Sequence, residues 1–108
     1  MQMKDKWKDS TTDKLCDAIM SLQNREECYQ LFEDLCTVSE IKSLAQRLHI
    51  ASLLSKGYTY SDISVATGVS TATISRVNRC LEYGADGYKN VLSRLGEDDN
   101  NSIIKGDK

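Results

Sequence analysis

The chain has 108 residues, 40% of them hydrophobic, with 14 Lys and Arg against 16 Asp and Glu and a formal charge of -2. That length suits one small domain with a limited core, and the slight acidity excludes a uniformly basic nucleic-acid coat while leaving room for a local positive patch. No apolar run approaches the roughly 18 residues of a membrane span, and the start Met1-Gln-Met-Lys-Asp-Lys6 lacks the apolar segment of a secretory signal, so a cytoplasmic location is expected.

Proline is absent and no glycine precedes Gly57, so the first half contains no strong helix breaker. Residues 1–9 form a polar leader, expected to be flexible, that contains Trp7. Ser10 is placed to cap a first helix with Asp13 at its third position and Leu15, Ala18, Ile19 and Leu22 on one face. Asn24-Arg-Glu-Glu27 opens a second helix, with Glu27 placed to reach back as in a capping box and Cys28, Leu31, Phe32 and Leu35 at helical spacing.

Thr37-Val-Ser-Glu40 repeats the capping signature and begins a third helix bearing Ile41, Leu44, Ala45, Leu48, Ile50, Ala51, Leu53 and Leu54. Its apolar arc is wider than a single neighbour in a small monomer covers, which points to a second subunit. Lys56-Gly57 ends that helix with a cation and a residue suited to a left-handed cap.

Thr59-Tyr-Ser-Asp62 caps a fourth helix with Ile63 and Ala66 facing inward, and Gly68-Val69-Ser70 makes a turn. The fifth helix runs from Thr71 to about Leu81 with Ile74, Val77 and Leu81 inward. Gly84 and Gly87 bracket a further break, and Tyr88, Val91, Leu92 and Leu95 give a sixth helical face ending at Gly96. The acidic and polar tail, 97–108, has no apolar period and is expected to be disordered.

Residues 60–81 therefore read as a helix-turn-helix, whose second helix commonly enters the DNA major groove. With Ile74 and Val77 inward, Thr71, Ala72, Ser75 and Asn78 are the candidate base contacts. A methyl of Thr71 or Ala72 can meet a thymine methyl, a Ser75 hydroxyl can meet a base edge, and an Asn78 amide can pair bidentately with adenine. Lys56, Arg76 and Arg79 are the candidate phosphate contacts, which supply affinity and register without base identity. One helix reads few base pairs, so two copies about 34 Å apart on a palindromic site are expected.

Cys16, Cys28, Cys36 and Cys80 form no CxxC pair, and His49 is the sole histidine. Apolar neighbours predict buried, reduced thiols with no metal and no cofactor. No paired acids or nucleophile and base at useful spacing suggest an enzyme. The competing reading is a helical protein-interaction adaptor that keeps the helix-turn-helix as scaffold.

The ordered run Thr37-Val-Ser-Glu-Ile-Lys-Ser-Leu-Ala-Gln-Arg47, the stretch from Ile50 to Gly57, and the stretch from Gly68 to Arg76 with Ala72-Thr73-Ile74-Ser75-Arg76 resemble the Trp repressor superfamily. The likeness extends from about Leu15 to Leu95 and is closer to the small YerC/YecD-like branch than to the tryptophan-responsive repressor. It implies an all-α, intertwined homodimer over residues 10–96, with a helix-turn-helix in each subunit and a role as a sequence-specific transcriptional repressor.

The resemblance also matches Arg47 and Arg76 to two arginines that embrace the amino-acid ligand of the tryptophan-binding relative, and Thr37 to a residue lining that pocket. Val77 stands where that relative has glycine, and Cys80 stands in place of a small hydroxyl residue, so tryptophan is not expected as corepressor. Arg47 and Arg76 are left with three roles: holding another small anion or amino-acid effector, pairing with acidic neighbours, or bracing the fourth and fifth helices. Ser61 and Ser64 replace basic residues expected in the first helix of the motif, so DNA contacts there must be rebuilt.

Overall fold

The computed structural model describes residues 6–96, and every regular element among them is helical. The elements are α1 (Ser10–Met20), α2 (Arg25–Leu35), α3 (Val38–Ser55), α4 (Tyr60–Thr67), α5 (Thr71–Tyr83) and α6 (Gly87–Leu95). Residues 1–5 of the leader and the whole of the 97–108 tail lie outside the described residues. The chain divides into two compact units that meet between Ile41 and Lys42, so α3 starts in the first and continues into the second.

In the first unit, α1 is capped by Asp9 rather than Ser10. The Asp9 carboxylate accepts from the Thr12 backbone at 2.9 Å, while Thr12 Oγ1 accepts from the Asp9 N–H at 2.9 Å. A carboxylate facing the positive helix end satisfies an otherwise unpaired N–H, and the reciprocal threonine fixes the start one residue earlier than the serine predicted. These hydrogen bonds, the Thr12 backbone first, hold the Asp9 carboxyl below its ordinary pKa.

Asn24 caps α2 by accepting from Glu27 N at 2.9 Å, but Glu27 reaches back to Gln23 N at 2.8 Å, one residue beyond the cap. The Thr37 and Glu40 pair closes the full reciprocal box at the start of α3, at 2.8 and 3.1 Å. Well-capped helices thus form without a core of their own, because neither α1 nor α2 contains a buried residue. An open groove of about 500 Å³ runs beside Leu15, Ala18, Leu31 and Leu35. Cys16 is exposed and Cys28 and Cys36 are half-buried, which corrects the prediction of buried thiols: this unit has no interior to receive them. Cys80 of α5 is exposed as well, because it precedes the inward Leu81 and so falls off the buried stripe.

The second unit holds the core. Ile50 and Ala51 of α3, Ile63 of α4, Val69 of the turn, Ile74 and Val77 of α5 and Leu92 of α6 form one buried cluster, with Leu53, Leu54, Tyr58, Tyr60 and Tyr88 packed around it. Ala66 is exposed, contrary to expectation. The inward stripe of α4 runs through Tyr60, Ile63, Ser64 and Thr67 at i, i+3, i+4 and i+7, which turns Ala66 outward. On α6 only Leu92 is buried, whereas Val91 and Leu95 remain exposed. Within α3 the wide apolar arc is only partly used, since Leu44 and Leu48 are also exposed.

Candidate nucleic-acid interface

The geometry of the helix pair is set by its turn. Gly68 caps α4 at φ 76°, a left-handed conformation that glycine adopts without a side-chain penalty, and donates its N–H to Ser64 O at 2.8 Å. Ser64 Oγ donates to Val69 O at 2.8 Å, Thr67 Oγ1 donates to Ile63 O at 2.7 Å, and Val69 N donates to Thr67 Oγ1 at 3.2 Å. The corner is a hydrogen-bonded clasp made by Ser64 and Thr67, whose roles spacing alone does not reveal. The available signal is a hydroxyl residue four positions before the helix-ending glycine.

Ser70 then opens α5, accepting from Thr73 N at 3.3 Å. Ile74, Val77 and Leu81 are all buried and fix the inner face of α5. The opposite arc follows from 3.6 residues per turn. Ala72, Arg76, Arg79 and Tyr83 recur at i, i+4, i+7 and i+11, and all four are exposed. Thr71, Ser75 and Asn78 flank that ridge on one side, with Thr71 exposed and Ser75 and Asn78 half-buried. The residues expected to face DNA on α5 thus share one continuous accessible arc beginning at its N-terminus. Lys56, half-buried, sits just after the end of α3.

Charge is divided between the two units. Residues 42–108 carry nine Lys and Arg against seven Asp and Glu, a net +2, of which 42–96 alone contribute +4, whereas residues 1–41 carry five against nine, a net -4. The helix-turn-helix therefore lies in a basic unit although the whole chain is acidic. A potential of that sign attracts a polyanion toward the unit that carries α5.

Of the three residues grouped by resemblance into a ligand pocket, Thr37 belongs to the first unit and Arg47 and Arg76 to the second. All three are exposed. Val77, next to Arg76, is only 4% exposed and is part of the core. Tyr88 of α6 is half-buried and packs against the core cluster. Burial pushes the Tyr88 hydroxyl above its ordinary pKa, Cys80 adds to the push, and the Arg47 cation opposes it.

The profile of the Trp repressor protein family matches residues 10–96. The chain belongs to the Trp repressor family. It is 52% identical over 101 residues to YerC of Bacillus subtilis strain 168, an uncharacterised protein, a match covering 94% of this chain and 97% of that one. A candidate Trp repressor from Staphylococcus aureus superposes with a TM-score of 0.83 at 50% identity, covering 91% of this chain and 98% of the other. A TrpR-like protein from Eubacterium eligens gives 0.81 at 52% identity, covering 85% and 95%.

Membership of this family makes the protein a DNA-binding regulator, and its six helices match those relatives' fold. No helix among the described residues is long and apolar enough to cross a membrane.

Proposed function

We propose that this protein is a sequence-specific transcriptional repressor, acting in the cytoplasm as a homodimer on a palindromic site and without tryptophan as corepressor. The observation that carries the reading is the accessible arc of α5 within residues 42–96, which carry a net charge of +4. Thr71, Ala72, Ser75 and Asn78 read base edges, while Lys56, Arg76 and Arg79 hold phosphates. Repression follows from occupancy of a promoter or operator and involves no covalent step.

Support for the homodimer comes from apolar surface left uncovered in the single chain. Leu15, Ile19 and Leu35 in the first unit are 40, 44 and 53% exposed, and so much apolar surface on short helices is the signature of an interface. Val77 supports independence from tryptophan, because its buried side chain occupies the place that is glycine in the tryptophan-responsive relative. A protein adaptor has less support: an adaptor has no need to gather exposed Thr71 and Arg79 with half-buried Ser75 on one side of a helix in a basic unit.

Selection from random duplexes at stated salt tests the reading. A palindromic sequence with half-sites one helical turn apart is the expected product. Failure to enrich any sequence would sink the repressor assignment and favour the adaptor.

A further inference from the structure

The junction between α5 and α6 is made differently from every other helix junction described. Gly84 follows α5 and donates its N–H to Cys80 O at 2.9 Å, and a Cβ at Gly84 would collide with that same carbonyl, so the chain turns tightly there. Asp86 then adopts φ 70°, the one positive φ at a non-glycine residue among the described residues. It caps α6 without a side-chain hydrogen bond, whereas side chains of Asp9, Asn24, Thr37, Thr59 and Ser70 accept at the starts of α1 to α5. A strained, uncapped helix start persists only when packing holds it.

The packing comes from Tyr88 and Leu92, one turn apart on the inward face of α6. Leu92 is 1% exposed within the cluster, and Tyr88 packs on the rim of the same cluster, which contains Ile50 and Ala51 of α3 and Ile74 and Val77 of α5. That cluster draws on α3, α4, α5 and α6, so Tyr88 rests on a core that all four helices share. One side chain from α6 therefore packs on a cluster to which both the helix that carries the reading residues and the helix that supports it contribute.

We propose that Tyr88 is a positioning residue for DNA reading, a wedge at the junction of α3, α5 and α6 that holds α5 in its reading orientation with no small ligand bound. The inference rests on the DNA-binding reading and deepens it. It replaces an external effector with a side chain of the chain itself, which makes the regulator constitutive. Val77 of the core cluster adjoins Arg76 on α5, so whatever holds the core face of α5 also holds its phosphate-contacting ridge.

The test uses the full-length protein, its selected duplex and a scrambled duplex. Wild-type affinity should not change when tryptophan, other amino acids or inorganic phosphate is added. Tyr88→Ala should weaken the selected duplex by about tenfold if α5 is then competent about a tenth of the time, while the scrambled duplex, whose phosphates Arg76 and Arg79 can meet in more than one register, should lose less. Tyr88→Phe keeps the wedge and should retain most of the affinity. Adding p-cresol to Tyr88→Ala should restore part of it by refilling the vacated space.

Hydrogen exchange along α5 provides a readout independent of DNA: Tyr88→Ala should exchange faster over 78–83, and p-cresol should slow it again. Unchanged exchange or unchanged selected-site affinity in Tyr88→Ala overturns the wedge. Equal losses on both duplexes, or wild-type binding that depends on an added ligand, overturn it too. If wild type prefers no duplex, the DNA-binding reading itself fails and takes the functional half of the wedge with it, whatever the exchange shows.

Discussion

Ser64 donates its hydroxyl to the backbone carbonyl of Val69 at 2.8 Å, joining α4 to the residue just before the Ser70 cap of α5. Because Val69 is a buried member of the core, that carbonyl has a side-chain partner at the point where the angle between the two helices is decided.

Replacement of Ser64 by Ala leaves the carbonyl without that donor and should cost about 1–2 kcal/mol of stability. In a domain of this size that is a fall in Tm of about 4–8 °C per kcal/mol. Thermal unfolding followed by circular dichroism measures it. An unchanged Tm would show that water replaces the serine at no cost.

Three glycines should respond to alanine in three different ways. Gly68 has open space around its Cβ position but φ 76°, so Gly68→Ala costs backbone strain alone, about 1–2 kcal/mol. Gly84 has an ordinary φ of -87°, yet its Cβ would strike the Cys80 carbonyl, so Gly84→Ala should be the most damaging. Gly87 opens α6 with nothing nearby, and Gly87→Ala should stabilise by up to about 1 kcal/mol. Urea midpoints give the order, and a stabilising Gly84→Ala would contradict the tight turn.

Asp9 should make the start of α1 sensitive to acid. Its folded-state pKa is lowered, chiefly by the Thr12 backbone hydrogen bond, so its stabilising contribution is complete above the ordinary aspartate value of about 3.9 and vanishes as pH falls through the lowered folded value. Asp9→Asn can still accept the hydrogen bond but does not titrate. Amide exchange at the start of α1 should rise more steeply in wild type than in Asp9→Asn as pH drops below that value. Parallel profiles would remove the carboxylate from the account.

The uncovered apolar face predicts the oligomeric state. Sedimentation equilibrium should give twice the chain's 12.1 kDa for wild type, and Ile19→Glu should shift the protein toward single chains by setting a charge on that face. A wild-type mass of one chain contradicts the dimer.

Much of this fold is legible in the sequence because local signals agree with one another. Each cap at Asn24, Thr37, Thr59 and Ser70 sits where a short polar side chain precedes an apolar period, and Ile63, Ile74, Val77 and Leu81 are buried as their spacing predicts. Asp9 and Ser10 are equally good caps in sequence, and only the reciprocal Thr12 bond favours Asp9. Apolar neighbours mislead about the thiols of the first unit, since they do not make an interior when α1 and α2 have nothing buried between them. The arc on α5 is readable from helical period alone, whereas the left-handed Asp86 that starts α6 is not, since Gly84 and Gly87 mark a break without showing which residue takes the positive φ.

The central claim is that Ser75 and Arg79 on one face of α5 divide the work of reading and holding DNA, and binding measured across a salt series tests it most directly. Wild type should prefer its selected duplex to a scrambled one at every salt concentration. Ser75→Ala should relax the preference at one base position in each half-site, leaving the salt slope unchanged. Arg79→Ala should weaken both duplexes alike and reduce the salt slope by about one for each phosphate that Arg79 neutralises. Equal, sequence-independent weakening in the two variants, with no wild-type preference for any duplex, would contradict the account.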